Sequence, residues 1–140
     1  MADLTIYINE KITLDGTERG VLTTQTITGI NNIDNRIMTC PSGSTTTIFT
    51  VSDTPTSAGS FATSSIQYAR VTNKSIVPIQ LSIASSNQNF WFTVNTGNSF
   101  LVSTKASGSN STDFILPNIT NVSITPSGSS ATIEYFIATT

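Results

Sequence analysis

Apolar residues alternate with polar ones along most of this chain. Leu4, Ile6, Ile8, Ile12 and Leu14 share one parity, the period-2 mark of a strand with one buried face. Asp15-Gly16 ends that run with a turn dipeptide. Residues 23–30 read as a second strand. Asn31, Asn32, Asp34 and Asn35 then crowd a predicted turn, and 36–40 resumes a strand up to Pro41. Residues 44–51 form another strand, and 52–63 read as a long loop broken by Pro55 and Gly59.

The stretch IQYARVTNKSIVPIQLSI, residues 66–83, carries two alternating runs around Asn73-Lys74. It reads as a hairpin, with Ile66 and Tyr68 on one face and Ile79, Leu81 and Ile83 filling the core. Phe90, Phe92 and Val94 form the next inward set, and Phe100 and Val102 follow a turn at 96–98. Residues 105–113 are a polar loop. Val122 and Ile124 share a face, and Ile133, Tyr135 and Ile137 mark the last strand.

About nine or ten short strands result, with turn signals at the 8–12-residue spacing of a sandwich. The expected fold is all-β: one antiparallel β-sandwich domain over residues 1–140, with 1–20 as an N-terminal arm or edge strand. A jelly-roll-like arrangement is favoured over an immunoglobulin-like one, because the strand count exceeds seven and no Cys…Trp…Cys pattern occurs.

Composition sharpens this picture in one respect. Charged residues make up 10% of the chain, against roughly 25% in ordinary domains. Ser and Thr supply about a third of the chain. A hydroxyl-rich surface of net charge −2 neither repels its own copies nor attracts polyanions strongly. The six basic residues are dispersed, so no nucleic-acid role is expected. No stretch is apolar enough to span a membrane, and the start lacks the basic and apolar regions of a signal peptide. The Asn-x-Ser/Thr triplets at Asn73, Asn110, Asn118 and Asn121 are therefore not read as glycosylation sites.

Candidate chemistry is sparse. With no histidine, Ser-His-Asp and Cys-His systems are impossible within one chain. Cys40 stands alone. It reads as a small buried hydrophobe or else as an intermolecular bridge or reactive thiol, and it cannot furnish a zinc site. Asp34, Asp113 and Glu134 are the carboxylates to consider for a glycosidase pair, which needs two carboxyls about 5–10 Å apart. No enzyme, cofactor or metal site is expected.

Two residues break the local pattern. Trp91 has the opposite parity from Phe90, Phe92 and Val94. It faces outward, either under a loop or the N-terminal segment or against another subunit, where tryptophan is enriched. Arg70 either reaches solvent or needs a carboxylate or carbonyl partner at an interface. With Leu4, Ile6, Tyr7 and Ile8 of the N-terminal run, these are the candidate interface residues, since edge strands are templates for strand addition.

The segments YARVTN (68–73), GNSF (97–100), GINNIDNRIMT (29–39) and ATIEYFIA (131–138) together resemble small β-sandwich virion structural proteins of tailed bacteriophages. The likeness covers most of residues 23–138. It implies a non-enzymatic role as a capsid decoration (cement) protein that binds the major capsid protein and stabilises the shell. The implied location is the capsid surface of a virion assembled from protein made in the host cytoplasm. It also implies association with copies of itself, a trimer being plausible. The alternative is a tail or head-fibre component that binds a receptor or carbohydrate.

Overall fold

A computed structural model describes residues 1–62, 65–85, 88–103 and 119–140. The fold is all-β, a two-sheet sandwich with a long hairpin attached to it. The hairpin is β1 (Ala2–Leu14) and β2 (Thr17–Ile30). Its loop is Asp15-Gly16, both at positive φ (51° and 74°), the two-residue turn whose twist matches the flanking strands. That turn sets a register running from Leu14 opposite Thr17 to Leu4 opposite Ile27. β2 therefore begins six residues earlier than its alternation suggests, and the expected arm boundary at residue 20 falls inside it. Gly20 is dictated by close approach: a Cβ there would overlap the carbonyl oxygen of Glu10 on the facing strand.

The sandwich contains β3 (Asn32–Cys40), β4 (Thr46–Ser52), β5 (Ser60–Ala62), β6 (Ile66–Asn73), β7 (Ile79–Ser85), β8 (Asn89–Val94), β9 (Ser99–Ser103), β10 (Ile119–Pro126) and β11 (Ala131–Thr139). One sheet has the order β3-β11-β6-β9, the other β5-β4-β10-β7-β8. Ile79, Leu81, Ile83 and Ile124 from the five-stranded sheet meet Ile133, Tyr135 and Ile137 from the four-stranded one in a single apolar core. Phe92 and Phe100 stack at 4.7 Å where the two edge strands β8 and β9 would otherwise leave the sandwich open.

Four expectations are corrected. The described residues hold eleven strands: β5 lies within the segment read as a loop and pairs in parallel with β4. The Asn-rich stretch is not a turn. β3 starts at Asn32 and pairs with β11 along its whole length, the partner strand overriding the low strand propensity of Asn and Asp. Residues 66–83 are not a hairpin. β6 pairs with β11 and β9, whereas β7 pairs with β10 and β8, so the connection at 74–78 carries the chain from one sheet to the other. Finally, Ile66 and Tyr68 do not share a face. The β6–β11 register shifts opposite them; Ile66 joins the central core, while Tyr68 joins a second cluster under the hairpin. The predicted polar loop at 105–113 lies outside the described residues.

Candidate functional site

The hairpin is the feature that a closed sandwich does not need. One of its faces carries Leu4, Ile6, Ile8, Ile12 and Leu14, joined across the strands by Ile27 and Val21. At the base, Leu4, Ile6, Ile27 and Ile30 pack on Tyr68, Phe136 and Ala138, on the outer face of the four-stranded sheet. Beyond Ile8 no described residue covers the same face. Ile12, Leu14 and Val21 are each at least half exposed. On the opposite face, Tyr7 and Leu22 are exposed too. A two-stranded ribbon is marginally stable in water by itself. Covering the exposed part of each aliphatic side chain is worth on the order of 1 kcal/mol, so a partner surface would fix the ribbon in place.

Of the expected interface residues, Leu4 and Ile6 are thus half-buried against the chain's own sheet, Ile8 marks the end of that contact, and Tyr7 points away from it. Trp91 projects from β8 on the outside of the five-stranded sheet, opposite Ser82, and is 60% exposed. No loop or N-terminal segment covers it among the described residues. Arg70 has found its carboxylate within the chain. Its guanidinium donates to Glu134 Oε1 at 2.6 Å, and Lys74 Nζ lies 3.5 Å from Glu134 Oε2. The pair sits on the outer sheet face beside the hairpin base, where Leu4, Thr5, Ile6, Tyr68, Arg70 and Phe136 enclose a shallow cleft. Sequence reasoning missed Ile33 and Ile37. Both project from β3 on this same outer face, next to Ala138 and Glu134, and Ile37 is 67% exposed. Ile33 fell in the segment read as a turn, and Ile37 lay in the strand read over 36–40 without a same-face apolar neighbour to mark its side, since Asn35 stands between them.

Asp34 and Glu134 do not face each other. Asp34 shares the inner face of its sheet, accepting a hydrogen bond from Tyr135 Oη at 3.0 Å and one from Arg36 Nε at 2.9 Å. Glu134 is committed to Arg70 and Lys74 on the outer face. Asp113 lies outside the described residues. Cys40 is fully buried in the core, and burial pushes its thiol pKa up, against a smaller lowering by Thr46. No group of potential metal ligands occurs among the described residues.

Tyr135 supplies a pH-dependent element. Burial raises its phenol to about 12, helped by donation to Asp34 and by that carboxylate's charge. Burial raises Tyr68 as well, partly offset by Arg70. The fold thus favours the neutral phenols. Their stabilisation is complete below the unfolded tyrosine pKa of about 10 and is lost as pH rises through the folded value. Tyr135 alone accounts for roughly 2–3 kcal/mol of loss across that window. Urea titrations on either side of it should show the loss. Tyr135→Phe should flatten the alkaline limb despite losing about 1 kcal/mol with its hydrogen bond; an unchanged limb would assign the effect to other groups.

No protein-family model matches this chain, and no curated protein matches it in sequence.

Proposed function

We propose that this chain is a non-enzymatic structural subunit of a phage virion, a capsid decoration protein that binds the major capsid protein and stabilises the shell. The observation that carries this reading is the hairpin, an arm whose apolar face runs off the body of its own molecule. Such a face gives a subunit added buried area at junctions between neighbours. The low-charge, hydroxyl-rich surface supports the same reading, because many copies can crowd together without like-charge cost. The virion assignment itself rests on the sequence resemblance described above.

The connectivity is read as jelly-roll-like. Supporting this, the connections β3–β4, β6–β7, β8–β9 and β10–β11 each pass from one sheet to the other. The alternative, a fibre or tail module that grips carbohydrate, would place aromatic side chains in loops at the ends of the sandwich. Every aromatic residue among the described residues lies in a strand instead.

Quantitative mass spectrometry of purified particles tests the proposal. A copy number equal to that of the major capsid protein, or a simple fraction of it, is the expected result. A handful of copies per particle would move the protein to the tail or a fibre. Absence from particles would remove the virion role.

A further inference from the structure

Among the described residues, two exposed apolar strips border the contact between the arm and the four-stranded sheet. One is the outer part of the arm face, with Ile12, Leu14 and Val21. The other is the pair Ile33 and Ile37 on the outer face of the four-stranded sheet. Each continues a contact that already exists. The arm strip extends the row Leu4–Ile6 that sits on Tyr68, Phe136 and Ala138. The sheet strip lies beside those receptor residues, Ile33 being the cross-strand neighbour of Ala138. An extended ribbon advances about 3.4 Å per residue, which puts Leu14 roughly 27 Å beyond Ile6. A ribbon paired in continuous register from Leu4 to Leu14 does not fold back to bring its tip onto the sheet under its own base.

We infer that the outer arm of one copy docks, apolar face down, on the Ile33–Ile37 strip of a second copy of this chain. The occupant is a second copy because one molecule carries both halves of the contact, each continuous with the intrachain arm–sheet interface. Charge does not oppose it: the arm face adds one Glu (Glu10) and one Arg (Arg19), and on the receiving face Glu134, beside Ile37, is already paired with Arg70 and Lys74. Arm to sheet is a head-to-tail contact, so it yields a closed ring where the rotation between copies closes. This rests on reading the arm as an assembly element and not on the virion assignment.

Sedimentation velocity of the purified full chain at micromolar concentration tests it, together with two double variants. Wild-type protein should self-associate. Ile12→Ser with Leu14→Ser, and separately Ile33→Ser with Ile37→Ser, should each weaken association by roughly tenfold or more, with the thermal transition of the body unchanged. A mixing experiment does not depend on those serine variants folding. Chains carrying Leu14→Cys, mixed with chains carrying Ile37→Cys and treated with a short bismaleimide, should give cross-linked pairs that need both partners. A monomeric wild type, association that persists in both double variants, or cross-links only between Leu14→Cys chains would each overturn the inference. A chain that is monomeric in solution yet present at lattice copy number on particles would sink the arm exchange and leave the capsid role standing. An oligomer absent from particles would do the reverse.

Discussion

Replacing Asn73 by alanine should cost about 3–4 kcal/mol, as much as emptying part of the core, although the residue is polar. Its side chain is completely buried and uses its whole hydrogen-bonding capacity. Nδ2 donates to the carbonyls of Val77 (2.8 Å) and Val94 (2.9 Å). Oδ1 accepts from the backbone N–H of Ser75 (3.0 Å) and from its hydroxyl (2.5 Å). The backbone joins in, with Asn73 N–H donating to Asn98 and its carbonyl accepting from Gly97. One residue therefore ties the β6–β7 crossing to the end of β8 through its side chain and to the turn before β9 through its backbone. Alanine would leave the Val94 carbonyl and the Ser75 amide without their partner, at about 1–3 kcal/mol for each unsatisfied buried group. Aspartate should do no better, since a carboxylate has no N–H for the two carbonyls. Urea denaturation would measure both variants. A loss under about 1 kcal/mol for Asn73→Ala would mean that water replaces the amide and that the clamp holds nothing together. The same geometry buries the amide that the Asn73 triplet would offer to a sugar.

Asn73 also shows why part of this fold was legible and part was not. The strands were readable because their inward residues alternate: Ile79, Leu81 and Ile83, and Ile133, Tyr135 and Ile137, all lie in the core as their period predicts. Partnering was not readable. A turn residue between two alternating runs looks the same whether the chain reverses within one sheet or crosses to another. The deciding fact, the buried Asn73 amide, acts through tertiary contacts. Parity also fails wherever a register shift intervenes, as between Ile66 and Tyr68. The arm was half legible. The row Leu4 to Leu14 announced an apolar face, and Asp15-Gly16 announced the turn. The returning strand TERGVL carries no alternation signal and is a strand only because the turn fixes its register. Trp91 projects outward as its parity indicated. Ile33 stayed hidden because asparagine-rich segments ordinarily turn, and only pairing with β11 makes this one extend; Ile37 lay in the strand read over 36–40, but its outward face showed only once the β11 register was known.

The second large loss is expected from Ile133→Ala, about 3–4 kcal/mol, within the 2–5 kcal/mol typical of buried Ile or Leu truncations. β11 is an interior strand, flanked by β3 and β6, with Met38 and Asn73 opposite Ile133 on the two sides. Ile133 is fully buried and faces the other sheet within the central cluster. Strands held on both edges cannot shift to fill the space left by the missing carbons, so most of the cavity term should persist beside the transfer term. Phe92 provides the contrast. It is a larger side chain, yet it sits on the edge strand β8, about a third exposed, and leans on Phe100. Phe92→Ala should cost clearly less than Ile133→Ala despite removing more atoms, because solvent can enter the gap and less apolar area returns to water. The two variants should share the wild-type urea dependence and differ in midpoint. If Phe92→Ala proved the more damaging of the two, the Phe92–Phe100 stack would have to be the closure on which the sandwich depends, and the two-sided bracing of β11 would not be what sets the stability of the core.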